Sequence, residues 1–488
     1  MQLVEIFKNY DHYIGKEVEV NGWVKTCRKQ KEPMFIDLVD GTTQKPLQII
    51  VSSKEVLNLD EVKTITTGTS LNVKGLLVTS PAKGQYFELA ARAVKIYQIC
   101  AEDFPIQKTG LTLDFLRGLP HLRHRTNLLR AVFKVKSTIV QTINEFFIGK
   151  NYTYVDLPAI TTNACEGGCQ PLLVTSLLNE GKASKLPVKQ IEMPARMPDE
   201  ESRSVTTDDI DFTKDFFRNQ VYLTVSNQLH LEAFSHGLGY VYTITQATRG
   251  EPSQTTKHLA HFNMLEAEHC FTELKDNIDL VESLIRYCTW KVQTDCPKEM
   301  EMLDITSGNK LFDKLNNIIH KPFTRIDHFD AIKILKEAHA NQQFTNEPQF
   351  DGDLSGEHER YLVKHFGNPV AVMYYPKAVK AFYMPVHHSV EIDNTTIEYV
   401  DCFDLLMDIG EVVGGSQRIW KENELVDRMQ QNGIDPKHLQ WYVDLRKYGS
   451  VPHGGFGLGI ERLTATITGM ENVKDCISFP ITVGHCTY

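Results

Sequence analysis

Four separated segments of the chain gather residue types that packing alone does not require. In residues 246–271, Arg249 and Glu251 precede a polar loop, 252–257, that returns through His258 to Phe262. A hairpin with a cation at its start can hold a phosphate. The second segment joins Asp404 and Glu411 to Gly414, Gly415, Ser416 and Arg418: two carboxylates on adjoining elements suit Mg²⁺, and the glycines let backbone approach a ligand closely. The third is Ser226, Gln228 and Glu232, and the fourth is a glycine run, 454–459, that leads into a helix carrying Arg462 in its first turns. Singly these signals are weak. Gly457-Leu458-Gly459 lacks a third glycine and a βαβ setting, and no Gly-Lys-Ser/Thr occurs, so dinucleotide-fold and P-loop readings both fail. A nucleotide site built from arginines and carboxylates remains.

Elements able to position these groups can be read from the hydropathy pattern. Residues 17–24, 34–39, 47–51, 70–77 and 86–91 alternate apolar and polar side chains, with turn chemistry at Asn21-Gly22, Asp40-Gly41 and 81–84. Five short strands in 100 residues suit an OB-fold barrel, a common binder of single-stranded nucleic acid; a short helix is expected at 53–57. Residues 101–125 lose periodicity and carry Pro105 and Gly110, as a hinge would. Basic residues then gather at Arg117, Arg123, His124, Arg125 and Arg130, and a helical period runs through 128–147. Beyond it, strands and helices alternate without βαβ order, which predicts a largely antiparallel sheet flanked by helices, an α+β fold. Residues 181–209 are poor in apolar side chains and contain Pro187, Pro194 and Pro198, so an exposed insertion is expected there.

At 488 residues the chain exceeds what one core supports. The expected division is 1–100, a hinge at 101–125, and a catalytic domain at 126–488. Hydrophobic residues at 42% and charged residues at 23% exclude wholesale disorder. No apolar run approaches the roughly 18 residues that span a bilayer, and the first residues lack a basic flank and an apolar stretch, so a cytoplasmic protein with no membrane partner is expected. Ten cysteines without any C-x-x-C argue against a disulfide scaffold or a zinc ribbon; Cys165 and Cys169 form only a lone C-x3-C. A net charge of −10 argues against indiscriminate nucleic-acid binding and restricts such contact to a local basic track on the barrel face and at 117–130.

The motifs resemble those of class II aminoacyl-tRNA synthetases, and nearly the whole chain is similar to the asparaginyl-tRNA synthetase family. The resemblance rests on the hinge "FPIQK…FLRGLPHLRHRTN", on Pro158 in "YVDLPAITTNACEGG", and on "TRGEPSQTTKHLAHFNMLEAE", "SGEHERYL", "YYPKAVKAFYM", "GEVVGGSQRI" and "WYVDLRKYGSVPHGGFGLGIERL". It implies an N-terminal anticodon-binding OB barrel and an antiparallel-sheet catalytic domain that forms a homodimer through the motif containing Pro158. The implied reaction activates L-asparagine with ATP and transfers it to tRNA(Asn). Arg249 would hold the α-phosphate and Arg462 the γ-phosphate, these two being the catalytic arginines. Glu251 and Phe262 would hold adenine, Lys257 and His258 the outer phosphates, and Asp404 and Glu411 Mg²⁺. Arg418 and Glu266 would face the carbonyl and NH₂ of the asparagine side chain, with Glu166, Ser226 and Gln228 around its α-amino group. On the barrel, Phe35 and Gln48 would read anticodon bases, with Arg28 on phosphate.

Two alternatives stand beside this expectation, an aspartyl-tRNA synthetase and a non-catalytic tRNA-binding paralogue. Aspartyl relatives place a lysine where this chain has Leu231, and Glu266 would repel an aspartate substrate; Glu266→Asp and Leu231→Lys are therefore expected to move activation toward aspartate. Retention of Arg249, Asp404, Glu411 and Arg462 together argues against a non-catalytic role. The chain departs from the family pattern at Thr248, Gly250, His261, Pro385 and Ile481.

Overall fold

A computed structural model describes residues 1–29, 33–56, 58–106, 110–163, 170–178, 187, 209–392 and 394–488. It divides into two compact units, Met1–Lys134 with Lys298–Met302, and Val135–Pro297 with Leu303–Tyr488.

In the first unit five strands close into a barrel: β1 (Glu17–Arg28), β2 (Met34–Val39), β3 (Leu47–Val51), β4 (Ser70–Thr79) and β5 (Phe87–Gln98), in the order β1-β2-β3-β5-β4. Alternation sets the two faces. Val18 and Val20 of β1, Met34, Ile36 and Leu38 of β2, and Leu47, Ile49 and Val51 of β3 fill the interior, while the residues between them point outward. The expected barrel is present, with β4 and β5 longer than the sequence pattern suggested. Of the helix expected at 53–57, residues 53–56 are described and form a turn held by the Ser52 carbonyl, and a helical turn follows at Leu59–Val62. Sequence periodicity also missed the short helix Leu3–Lys8, whose Leu3 and Ile6 enter the barrel core. Six residues are too few to display a 3.6-residue period.

In the second unit the main sheet has eight strands. In chain order the helices and strands that build its site are α1 (Asn127–Gly149, within which the unit boundary falls), β6 (Thr153–Tyr154), α2 (Gln228–Leu238), β7 (Tyr240–Thr248), β8 (His261–Cys270), α3 (Leu274–Asp295), β9 (Thr324–Asp327), α4 (Gly356–Phe366), β10 (Val370–Met373), β11 (Cys402–Met407), β12 (Gly410–Gln417), α5 (Gln440–Lys447), β13 (His453–Gly459) and α6 (Ile460–Thr468). The sheet order is β9-β10-β11-β12-β13-β8-β7-β6. Only the outermost pairs, β9 with β10 and β6 with β7, are parallel, so the largely antiparallel reading holds. Helix α3 begins with a capping box between Glu273 and Asp276 and buries Ile278, Val281, Ile285, Cys288 and Val292, one stripe of its surface. Among the described residues the cysteines are free thiols, and no helix is long and apolar enough to cross a membrane. Cys165 and Cys169, and nearly all of the expected insertion at 181–209, lie outside the described residues.

Candidate active site

The face of the main sheet carries a cavity of about 880 Å³. Strand β8 supplies its middle: Phe262, Met264, Glu266 and Glu268 alternate onto the cavity side. Beside them β13 and β12 are nearly bare backbone, because Gly457 pairs with Glu266 on one side and Gly414 on the other. A side chain there would fill the cleft.

One end of the cavity is cationic and acidic in turn. Arg249 follows the last residue of β7, its backbone N–H bonds the Ala260 carbonyl at 2.9 Å, and its guanidinium lies 5.6 Å from the Phe262 ring centroid. Gly250 departs from the family pattern for a visible reason, since a Cβ there would sit 2.9 Å from the Gln170 carbonyl oxygen. Glu251 lines the same end. Lys257 donates to Glu359 of α4 at 2.6 Å. The His258 ring nitrogen Nδ1 meets Thr255 Oγ1 at 2.6 Å and Ser253 Oγ at 2.9 Å; burial, then Arg462 and Lys257, lower its pKa. Arg462, in the first turn of α6, donates to the Glu411 carbonyl at 2.8 Å and lies 3.6 Å from its carboxylate. Glu461 beside it accepts from the Asn263 backbone at 3.0 Å and pairs with Lys136 at 2.7 Å, which ties α6 to β8. At two further departures, His261 lies 3.4 Å from Thr248 Oγ1 and the Ile481 carbonyl accepts from Ala260.

Asp404 and Glu411 converge. A Cβ built on Gly414 would lie 3.2 Å from Glu411 Oε1 and 3.5 Å from Asp404 Oδ1, so both carboxylates face the space that glycine leaves open. Lys380 donates to the other Asp404 oxygen at 2.6 Å. Burial, with Glu411 and Asp353 nearby, pushes Asp404 up to about 7 against the pull of Lys380. For Glu411, burial is outweighed by Arg462, Lys380 and Lys257, which hold it below its ordinary value. Such a pair, two hard oxygen donors facing one open space, fits a divalent cation such as Mg²⁺. Among the described residues no third His, Cys, Asp or Glu completes a cage, which leaves coordination positions for phosphate and water.

The opposite end is a buried cluster of charge. Ser226 donates its hydroxyl to Glu266, whose carboxylate also accepts the Asn227 backbone N–H at 3.1 Å. Arg418, 2% exposed, forks onto Glu268, with Nη2 at 2.5 Å and Nε at 3.3 Å, and its Nη1 donates to Ser416. Burial raises Glu268 to about 8 despite Arg418, with Glu232 and Glu266 adding to the rise. Gln228, the first residue of α2, lines the cavity and donates Nε2 to Glu232 at 3.1 Å.

The cavity therefore brings together Arg249, Glu251, Lys257, His258, Phe262, Asp404, Glu411 and Arg462 at one end and Ser226, Gln228, Glu266 and Arg418 at the other. Glu166 lies outside the described residues. Sequence reading missed Glu268, with which Arg418 pairs; the signal was available, since Glu268 follows Glu266 by two on a strand and must share its face. Leu231 is fully buried in an apolar cluster with Val155 and Val241. Lys380 and Glu359 were also missed, because only the fold brings them to Asp404 and Lys257.

On the barrel, Arg28, Phe35 and Gln48 sit on β1, β2 and β3. Arg28 lies opposite Phe35 in register, 5.2 Å from its ring centroid, and donates to Gln48 Oε1 at 3.0 Å; Gln48 donates to Glu88 at 3.0 Å. The basic stretch behind the barrel is less available than its sequence suggests. Arg123 is fully buried, 6.0 Å from the Phe133 ring centroid, and Arg117 is paired with Asp114.

An antiparallel sheet bearing this cavity has the architecture of a class II aminoacyl-tRNA synthetase catalytic domain, and residues 190–483 match the family described as tRNA synthetases class II (D, K and N). The chain is 39% identical to the asparagine–tRNA ligase of Acetivibrio thermocellus, with 98% of this chain and 97% of the relative covered. It is also 39% identical to that of Microcystis aeruginosa, with 96% and 95% covered. Asparaginyl-tRNA synthetase from Pyrococcus horikoshii, solved with asparaginyl-adenylate, superposes with a TM-score of 0.78 at 29% identity, 97% of each chain being covered. The chain belongs to the asparagine–tRNA ligase family of class II synthetases.

Proposed function

We propose that the chain joins L-asparagine to tRNA(Asn) in two steps. The asparagine carboxylate attacks the α-phosphorus of ATP, pyrophosphate leaves, and asparaginyl-adenylate forms. A ribose hydroxyl at the 3′ end of the tRNA then attacks the acyl carbonyl and AMP leaves. Both steps depend on alignment and on neutralising phosphate charge more than on a side-chain acid or base.

The observation that carries this reading is the single cavity with a cationic end at Arg249 and Arg462 and an amide-matched end at Arg418 and Glu266. In it Arg249 holds the α-phosphate and Arg462 the γ-phosphate. Phe262 stacks on adenine with Glu251 at its edge, and Lys257 and His258 meet the outer phosphates. Asp404 and Glu411 hold Mg²⁺, which when bound screens phosphate charge. Arg418 donates to the side-chain carbonyl of asparagine and Glu266 accepts from its NH₂ group; an aspartate would instead meet the buried Glu266 with like charge. Ser226, Gln228 and Glu166 surround the α-amino group. On the barrel Phe35 stacks on an anticodon base, Gln48 reads another and Arg28 meets phosphate.

The same reading has residues 1–100 as the anticodon-binding domain, 101–125 as a hinge, 126–488 as the catalytic domain, and a cytoplasmic homodimer joined through the segment around Pro158. Exposed Tyr154 and Tyr240, on the two outermost strands at that end of the sheet, support such pairing.

ATP–pyrophosphate exchange with asparagine and with aspartate, followed by tRNA charging, tests the function. Exchange with asparagine alone and charging of tRNA(Asn) are expected. Exchange with aspartate would support the aspartyl alternative, and no exchange with either would overturn the enzyme reading.

A further inference from the structure

Glu232 is fully buried and contributes nothing to the chemistry described above, yet it gathers several charged and polar partners. Tyr442 of α5 donates to both of its oxygens, at 2.9 and 2.8 Å; Arg446 of α5 donates at 2.6 Å, and His453 Nε2 lies at 3.1 Å. Arg418 stands 3.8 Å away. Burial would raise the Glu232 carboxyl, but Arg446, the His453 hydrogen bond and Arg418 hold it well below the ordinary range. An ionised carboxylate accepts and cannot donate. One helical turn earlier, Gln228 must therefore turn its NH₂ group to Glu232, as the 3.1 Å bond records.

We propose that Glu232 is a positioning residue for amino-acid binding: by accepting the Gln228 NH₂ group it locks that amide so that Oε1, an acceptor, is offered to the α-ammonium group of the substrate. The inference rests on the reading that Gln228 faces the α-amino group. With the amide reversed, an NH₂ group would oppose an ammonium group, donor against donor. The surrounding carboxylate, tyrosine and arginines thus determine the polarity of a neutral side chain that lines the cavity.

Three variants, followed by steady-state pyrophosphate exchange and thermal melting, test this. Gln228→Met keeps the shape and removes the acceptor; a rise of at least tenfold in asparagine KM supports the underlying reading, and an unchanged KM rejects that reading itself. Glu232→Gln can donate to Gln228 and let it reverse. The expected result is a tenfold or larger rise in asparagine KM, with kcat and ATP KM within threefold of the parent; an unchanged asparagine KM beside an impaired Gln228→Met protein overturns the inference. The swap Gln228→Glu/Glu232→Gln conserves charge and restores an acceptor at 228. It should return asparagine KM to within threefold of the parent, which a purely architectural role for Glu232 would not produce. If Glu232→Gln does not fold, the swap decides alone: a KM still raised tenfold, or a swap protein that also fails to fold, overturns the inference.

Discussion

Arg28 on the barrel and Arg418 in the cavity both belong to candidate recognition sites, and their surroundings differ in kind. Arg28 is exposed, makes one 3.0 Å hydrogen bond to Gln48 and rests over Phe35. Arg418 is buried, forked onto Glu268, tied to Ser416, and backed by Glu232 with its own arginine, tyrosine and histidine. An exposed pair contributes about 0–1 kcal/mol and leaves its members free to change partners. Removing one member of a buried pair costs about 3–5 kcal/mol because a charge is left behind without compensation. The cavity is thus organised before any ligand arrives, as a site that must align small reactants requires. The barrel face offers loosely held groups that can rearrange around a base.

The largest test of that contrast is Arg418→Ala. It leaves Glu268 and Glu232 short of positive charge, so asparagine-dependent exchange should fall by about three orders of magnitude, in line with a loss of about 4 kcal/mol. The melting temperature should fall with it, while binding of an isolated anticodon stem-loop, followed by fluorescence anisotropy, stays at the parent value. A mild effect would show that the cavity is no more committed than the barrel face. Phe35→Ala is the reciprocal case. Loss of one stacked base is worth about 1–3 kcal/mol, so tRNA KM should rise by roughly 5- to 150-fold, with pyrophosphate exchange unaltered. Impaired exchange in this variant would mean that Phe35 supports the fold rather than the RNA.

The contrast also explains how much was legible in the sequence. Period-2 alternation marked the barrel strands, and the same rule placed Phe35 and Asp37 on the outer side, where both are half-buried. The cavity-lining residues Arg249, Phe262, Asp404, Glu411 and Arg462 stood in segments that residue type and the resemblance to the family singled out. Partners supplied from distant elements left no local trace. Lys380 reaches Asp404 across 24 residues, Glu359 reaches Lys257 across 102, and Arg446 reaches Glu232 across 214.

A smaller effect is expected at the edge of the second unit, where Asp215 accepts from Ser176, Thr175 and the Phe216 backbone. Burial raises its carboxyl, but the Ser176 and Thr175 hydrogen bonds outweigh this and bring it from 3.8 to about 2. A carboxyl depressed in the folded state stabilises above its unfolded pKa and loses that contribution as pH falls through the folded one. Amide exchange around residues 175–176 and 216 should therefore accelerate between pH 4 and about 2. Asp215→Asn should exchange fast at every pH; a parent protein with pH-independent protection there would show that these bonds do not hold the segment.

Arg28→Ala is expected to do least, and for that reason it measures the barrel side of the comparison most directly. The arginine contributes little to the fold through its exposed bond to Gln48, so melting should not change by more than about 0.5 kcal/mol. If it meets one phosphate of a single-stranded anticodon, its loss removes about 0.7 from the slope of log affinity against log salt, and weakens binding evenly across anticodon sequences. Gln48, released from its bond to Arg28 but still held by Glu88, should keep its orientation and its base preference. An unchanged salt slope with altered base preference would instead make Arg28 the residue that orients Gln48. The barrel face would then share the cavity's logic, in which a charged neighbour sets the polarity of an amide.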